Sequence, residues 1–122
     1  MMLRFKRVYE PPDADDGKRI LVDRLWPRGT SKEKARIDLW LTDIAPSYGL
    51  RKRYHGNSED WNSFRTAYFA ELAAEAALAP SRILLDYLRN GPVTLLYAAR
   101  DEKRNNAAAL KAWLELSQEG QS

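Results

Sequence analysis

The sequence predicts a small single-domain α/β sandwich, in which helices flank a short, mostly parallel or mixed sheet. Two apolar runs, residues 20–22 and 93–98, have the unbroken hydrophobicity of strands that are covered on both faces. Helix-patterned segments lie between and after these runs, as expected where crossovers join parallel strands. With 122 residues the chain can bury one core. We expect residues 1–117 to form the domain and residues 118–122 to be a disordered tail.

The composition limits the chemistry that the chain can carry out. A hydrophobic fraction of 44% and a charged fraction of 30% are typical of a soluble globular protein. The absence of cysteine excludes disulfides, thiolate nucleophiles and thiolate metal sites, and the single histidine, His55, excludes multi-histidine sites, so we predict no metal and no cofactor. Without a signal core or an apolar run of the ~20 residues that span a membrane, the chain is expected to be cytoplasmic, with no membrane partner. The net charge of +3 is only mildly basic, so it indicates a nucleic-acid partner weakly.

Three strands are predicted, over residues 3–9, 18–24 and 93–98. The first alternates apolar and polar residues, and the other two are apolar on both faces. Residues 10–17, E-P-P-D-A-D-D-G, are rich in turn formers and are predicted to be a surface loop. Because this link is short and has no helical pattern, it favours a hairpin between the first two strands and therefore a mixed sheet.

The helix predictions depend on capping residues and on apolar residues spaced three to four apart. In the longest helix Trp61, Phe64, Tyr68 and Leu72 are predicted to face the core. The residues predicted to face water are Glu59, Arg65, Glu71 and Glu75. Two short helices are predicted first, one capped by Ser31 and one that begins at Asp38 and is stopped by Pro46. A third helix follows the cap Ser47, runs through Tyr54 and is ended by Gly56. The longest helix begins at residue 57 or 58 and runs to about 78, another follows Pro80 and is closed by residues 90–91, and the last runs from about residue 105 to about 116.

A charged turn follows each of the two buried strands. The run D-R-L-W-P-R-G occupies residues 23–29, and R-D-E-K-R-N-N occupies residues 100–106. If the two strands are parallel, both turns lie at the carboxyl-terminal edge of the sheet, where α/β proteins bind ligands. The second turn opens a helix, whose free N–H groups favour a phosphate or a carboxylate. The pattern therefore predicts a site for a small anionic or nucleotide-like ligand.

Each candidate side chain at this edge has a functional and a structural interpretation. Asp23 and His55 are candidate catalytic acids or bases, with Asp101 as another base. Asp23 can equally form a structural ion pair, and Trp26 can be a core residue. Arg28, between Pro27 and Gly29, is predicted to serve a ligand more than the fold. The candidate ligand-binding residues are Arg24, Trp26, Arg28, Tyr97, Arg100, Asn105 (also a good helix N-cap) and Asn106.

Three classes of function fit these features, in decreasing order of preference. The first is an enzyme or degenerate enzyme that acts on a small anionic or nucleotide-like ligand. The second is a nucleic-acid-associated accessory protein, in which the basic residues 51–53 contact phosphates. The third is a non-catalytic interaction module. The oligomeric state stays open.

Four stretches carry a resemblance to a known family. K-R-V-Y-E-P-P from Lys6, I-L-V-D-R-L-W-P-R-G from Ile20, L-R-K-R-Y-H-G from Leu50 and T-L-L-Y-A-A-R-D from Thr94 resemble the YeaO-like branch of domain-of-unknown-function family 488. The resemblance implies an α/β fold and a cytoplasmic bacterial or archaeal protein, and it implies no reaction. The positions that match the branch are Asp23, Arg24, Trp26, Pro27, Arg28, Gly29, His55, Tyr97 and Asn105.

The chain departs from that branch in the last loop. Members commonly carry Asn-His-Ala there, whereas this sequence has Asn105-Asn106-Ala107, so an asparagine replaces the histidine. Longer relatives carry cysteines in the equivalent loop, and this chain has none. The resemblance therefore supplies neither an imidazole nor a thiol for a mechanism here.

Overall fold

A computed structural model describes residues 2–54 and 60–119. Its strands form one parallel sheet in the order β1-β4-β2-β3, so the last strand of the chain lies inside the sheet. The prediction of a small α/β domain is confirmed. The strands are β1 (Leu3–Arg7), β2 (Lys18–Leu21), β3 (Leu39–Trp40) and β4 (Val93–Tyr97), and the helices are α1 (Tyr48–Tyr54), α2 (Trp61–Ala73), α3 (Leu78–Arg89) and α4 (Asn106–Glu119).

The predicted hairpin between the first two strands is wrong, because both strands pair with β4 in parallel. The buried residues of β4 need backbone partners on both sides, and β1 and β2 supply them. The loop between β1 and β2 therefore runs back to the amino-terminal edge of the sheet, so that β2 runs in the same direction as β1. It enters β2 at Gly17, where a Cβ would meet the Pro92 carbonyl oxygen at 2.1 Å, so only glycine allows this approach.

The two faces of the sheet are covered differently. On one face Ile20, Val22 and Leu95 belong to the main core, which the helices cover. On the other face Leu21 and Leu96 belong to a smaller cluster. The 3-10 turn Ala14–Asp16 and residues 30–38 cover this second face instead of a helix. We call it the loop-covered face.

The segment after β2 differs from the two helices predicted there. Ser31 does cap a helical turn, since its Oγ accepts from Lys34 N at 3.1 Å, but the turn ends at Arg36 with φ of 49°. The helix predicted from Asp38 is wrong, and Leu39–Trp40 forms β3 along the free edge of β2. Asp38 N and Leu41 N donate to β2 carbonyls at 2.8 and 2.9 Å, so the unpaired edge of β2 overrides the helical pattern.

The central helices match the prediction in part, because α1 and the end of α3 at its C-cap Asn90 are confirmed while the end of α2 and the start of α3 differ. The expected helix to residue 78 ends at Ala73, because Ala74 is extended. Pro80 does not separate two helices but lies in the first turn of α3, where its missing N–H has no partner to lose. The caps at Ser47 and Asn105 are confirmed, as their side-chain oxygens accept from Leu50 N and Ala108 N at 3.2 and 2.8 Å. Helix α4 reaches Glu119, and the predicted cap at Gly56, the predicted start at residues 57–58 and the end of the expected tail lie outside the described residues.

The faces of α2 are predicted in part. Tyr68 and Leu72 are buried, while Trp61 and Phe64 are half-buried and stack on each other with ring centroids 5.8 Å apart. Glu71 does not face water as predicted, because its carboxylate accepts from Ser47 N at 2.8 Å and Ser47 Oγ at 2.5 Å. Arg65 is half-buried with its guanidinium over the Phe69 ring, Glu75 is exposed, and Glu59 lies outside the described residues.

Candidate functional site at the carboxyl-terminal edge

The carboxyl ends of β2 and β4 lie side by side, as predicted. The strands are parallel neighbours, and Val22 N donates to Leu96 O at 3.1 Å just beyond β2. From this point the chain leaves in opposite directions. Residues after β4 lead to α4 on the helical face, and residues after β2 lead to the loop-covered face. Neighbouring strands that part in this way create the crevice where open α/β sheets bind ligands.

In this protein the crevice is filled by its own side chains. Asp23 Oδ2 accepts from Ala98 N at 2.9 Å, and Asp23 Oδ1 accepts from Asn106 Nδ2 at 2.9 Å. Asn106 Nδ2 also donates to Val22 O at 3.0 Å. The structure therefore brings Asp23 and Asn106 together, and they join the two charged turns.

The environment of Asp23 raises the pKa of its carboxyl group above the usual value. Burial raises the pKa of Asp23, and this effect outweighs the hydrogen bonds from Asn106 and Ala98 N and the attraction of Arg51, which all lower it. Both direct hydrogen-bond donors are neutral amides. Each oxygen of Asp23 therefore already accepts a hydrogen bond from the protein.

The two arginines of the first turn have different surroundings. Arg24 donates from Nε to Pro46 O at 2.9 Å and from Nη2 to Ala45 O at 3.1 Å, so it fastens the turn to the segment before α1. Arg28 is exposed, and its side chain has no hydrogen bond or ion pair among the described residues. Its backbone carbonyl accepts from Tyr9 Oη at 2.7 Å.

The aromatic candidates are held inside the fold. Trp26 is half-buried, donates to Thr30 O at 3.0 Å and meets Trp40 edge-on with ring centroids 5.3 Å apart. Tyr97 is only 2% exposed and lies in the main core beside Phe5, so its ring does not offer a stacking face at the surface. Burial, followed by nearby carboxylates, raises the pKa of Tyr97.

The second turn is organised mainly by Asp101. Its Oδ1 accepts from Lys103 N and Arg104 N, both at 2.9 Å, and these bonds, with the Arg104 charge, hold the pKa of Asp101 below its usual value. Asn105 caps α4 and donates to Asp101 O at 3.0 Å. Arg100 is exposed and has no hydrogen bond or ion pair among the described residues.

Arg7 and Tyr9 belong to this edge although they were not among the predicted site residues. Arg7 donates to Ala99 O at 2.9 Å and to Ala98 O at 3.1 Å, and its guanidinium lies 5.1 Å from the centre of the Tyr9 ring. Together with the bond from Tyr9 to Arg28, these contacts connect the two charged turns a second time. The positive charge of Arg7 near the carboxyl end of the first predicted strand was the signal that could have indicated these two residues as part of the site.

An open cleft of about 340 Å³ lies at the first charged turn and is lined, among the described residues, by Leu25, Tyr48, Arg51 and Lys52. Tyr48, Arg51 and Lys52 lie on one face of α1, three and four residues apart. The cleft therefore combines two cations with an aromatic ring and an aliphatic side chain. Tyr48 was not predicted as a site residue, because no local pattern in the sequence indicates that α1 lies at this edge of the sheet. We call this space the α1 cleft.

Further limits on the site come from the described part of the chain. His55 lies outside it, so its predicted role is untested. Among residues 2–54 and 60–119 no group of three acidic or histidine side chains is placed to hold a metal ion. Nor does any helix in these ranges have the length and apolar composition needed to cross a membrane.

Comparison with known proteins identifies relatives over nearly the whole chain. A family model described as "Inactive DUF488-N3 subclade" matches residues 2–122. The uncharacterized protein YeaO of Escherichia coli (strain K12) is 45% identical over 114 residues, which cover 93% of this chain and 97% of YeaO. The uncharacterized protein Rv3073c of Mycobacterium tuberculosis (strain ATCC 25618 / H37Rv) is 44% identical over 108 residues, covering 88% of this chain and 89% of that protein. No solved structure matches the chain significantly.

Proposed function

Because the chain belongs to the inactive DUF488-N3 subclade, we propose that it is a non-catalytic binding protein for a small anionic, nucleotide-like ligand. The α1 cleft is the observation that carries this proposal, since it lies at the first charged turn and is lined by two cations and an aromatic ring. We also propose that the protein works in the cytoplasm, which its cysteine-free sequence supports.

The lining of the α1 cleft suits an anion that carries a planar ring. Arg51 and Lys52 supply positive charge, and the Arg51 guanidinium can form the paired hydrogen bonds that phosphates and carboxylates accept. Tyr48 is 64% exposed, so its ring face is free for stacking, and Leu25 adds an apolar surface. A nucleotide combines these two requirements in one molecule.

The hydrogen bonds beside the cleft favour binding without a reaction. A general acid or base needs an oxygen or nitrogen within reach of the ligand and a proton to exchange. Asp23 uses both oxygens for Ala98 N and Asn106, and the Asn106 amide does not titrate where the related branch commonly has histidine. The described edge thus supplies charge and shape for a ligand, which agrees with the family description.

Isothermal titration calorimetry of the full chain tests the proposal. We expect a nucleoside monophosphate to bind with one site, and both the free nucleoside and inorganic phosphate to bind more weakly, because each lacks one half of the recognition. The Arg51→Ala variant should weaken nucleotide binding about 10-fold, which corresponds to ~1.4 kcal/mol. This is below the usual value for a charged hydrogen bond, because Arg51 is only half-buried.

The matched control is Arg89→Ala, which removes the same charge from the exposed end of α3 and should leave nucleotide affinity unchanged. Absence of saturable binding by any nucleotide would refute the proposal. Equal losses in the Arg51 and Arg89 variants would show attraction to the net charge of the protein instead of a site.

A further inference from the structure

We infer that the α1 cleft binds a single-stranded nucleic acid, with a base stacked on Tyr48 and backbone phosphates held by Arg51 and Lys52. This inference rests on the proposed function of the same cleft and specifies its ligand class. Three observations lead from a nucleotide to a strand, namely the partial enclosure of the cleft, the cations of α1 without an ion pair among the described residues, and the exposed rings at this edge of the sheet.

The described walls of the α1 cleft would enclose a free nucleotide only in part. Sites for small molecules usually bury 70–90% of the ligand surface. Among the described residues, four side chains line the cleft, of which Tyr48 is 64% exposed and Leu25 is 51% exposed. A bound mononucleotide would leave much of its surface in water, whereas a strand gains affinity from contacts on either side of the cleft.

The charge of α1 extends beyond the cleft. Arg51, Lys52 and Arg53 are consecutive, and α1 itself carries no acidic residue. No carboxylate forms an ion pair with any of the three within the described residues. The positive charge of Arg51 acts to lower the pKa of Asp23, but the two oxygens of Asp23 accept hydrogen bonds from Ala98 N and Asn106 and not from Arg51. Arg51 and Lys52 therefore have no ion-pair partner among the described residues and can contact phosphates, while the Arg53 guanidinium lies 5.5 Å from the centre of the Tyr54 ring.

Two exposed aromatic rings at this edge of the sheet, Tyr48 in the lining of the cleft and Trp40 outside it, favour unpaired bases. Besides Tyr48, the indole of Trp40 is 39% exposed and is fixed by its bond to Asp23 O at 2.7 Å, two residues from Leu25. Rings beside a basic groove are how proteins hold single strands, because every base has a face that can stack. In a duplex the faces of the bases are covered by their neighbours, so the two rings would have nothing to bind.

Fluorescence anisotropy with a labelled 12-nucleotide oligo-dT tests the inference on the full chain. We expect the oligonucleotide to bind more tightly than thymidine monophosphate, and more tightly than a duplex of the same length. Tyr48→Ala should weaken oligonucleotide binding about 5- to 150-fold, or ~1–3 kcal/mol for one stacked base, and Tyr48→Phe should preserve it. Lys52→Ala should reduce the dependence of log affinity on log salt by about 0.7, the value for one phosphate of a single strand.

The outcomes separate this inference from the proposed function. If a mononucleotide binds and the oligonucleotide binds no tighter, the inference is wrong and the proposed function stands. Binding of neither ligand overturns both. Oligonucleotide binding that persists in Tyr48→Ala, or that is equally strong for the duplex, would show general attraction to polyanions and overturn the inference. Arg89→Ala again serves as the control for net charge.

Discussion

Strand β2 has an aspartate two residues before its start and another two residues after its end, and their surroundings are opposite. Asp16, only 2% exposed, forms ion pairs with Arg19 Nη1 at 2.5 Å and with Lys6 Nζ at 3.2 Å. Asp23 has two amide donors and, among the described residues, no ion pair with a cation. The same residue type therefore secures one end of the strand with charge and the other end with neutral hydrogen bonds.

The pKa values of the two carboxyl groups diverge accordingly. Burial acts to raise the pKa of Asp16, but hydrogen bonds from Asp13 N, Lys6 and Arg19 outweigh it, and the pKa falls below the ordinary 3.8. Burial raises the pKa of Asp23 above the same ordinary value, because its amide donors compensate less. A buried carboxylate paired with cations keeps its charge and clamps the fold, while one held by amides is easier to protonate.

Asp16→Ala should cause the largest loss of stability. It would leave the Arg19 guanidinium, which is 3% exposed, with the Ala35 carbonyl as its remaining acceptor among the described residues. Removing one partner of a buried pair costs about 3–5 kcal/mol, to be measured by urea unfolding. Asp86→Ala breaks the exposed pair with Arg89 and should change stability by less than ~0.5 kcal/mol. Similar losses of unfolding free energy in both variants would show that the buried Asp16–Arg19 pair contributes no more stability than the exposed Asp86–Arg89 pair.

Asn106→Ala should have the next largest effect, about 1–3 kcal/mol, because Val22 O and Asp23 Oδ1 would both lose their donor. Urea unfolding measures it, and Asn62→Ala on the exposed face of α2 is the matched control, which should not destabilise the protein. An unchanged unfolding free energy for Asn106→Ala would mean that the crevice is not held closed by this side chain.

Arg24→Ala should destabilise more than Arg28→Ala, although both change the same turn. Arg24 fastens the carbonyls of Ala45 and Pro46, so we expect a loss of about 1–2 kcal/mol. For the exposed Arg28 we expect a change within ~0.5 kcal/mol, measured by the same unfolding experiment. The reverse order would show that Arg28 is structural. The role of Arg28 toward a ligand stays a prediction, tested by whether Arg28→Ala lowers nucleotide affinity.

The smallest effect concerns pH, because the two aspartates act in opposite directions. The lowered pKa of Asp16 contributes stability that is present above pH 3.8 and is lost as the pH falls through its folded-state pKa. The raised pKa of Asp23 contributes stability that is present below pH 3.8 and is lost as the pH rises through its folded-state pKa. In an NMR titration that follows the carboxyl carbons, we expect the midpoint of Asp16 below pH 3.8 and that of Asp23 above it. Equal midpoints would show that the two carboxyl groups do not differ in pKa.

Local patterns in the sequence were enough to predict the buried strands, the caps at Ser47 and Asn105, and the meeting of the two charged turns. Apolar faces and capping side chains act over a few residues, so they can be read from neighbours in the chain. The hairpin and the helix at Asp38 failed because β4 and the free edge of β2, both distant in sequence, determine those pairings. For the same reason the roles of Arg24 and Glu71, whose partners lie more than 20 residues away, could not be predicted.

The position of β4 inside the sheet has a consequence for synthesis. Strands β1 and β2 do not pair with each other, and their shared partner, Val93–Tyr97, emerges from the ribosome more than 70 residues after β2. Until then both strands have unpaired edges and exposed apolar residues, which makes a nascent chain of this kind prone to aggregation. We expect folding to begin only after β4 has been translated, and to be slow for a chain of this size, since long-range pairing requires the closure of long loops.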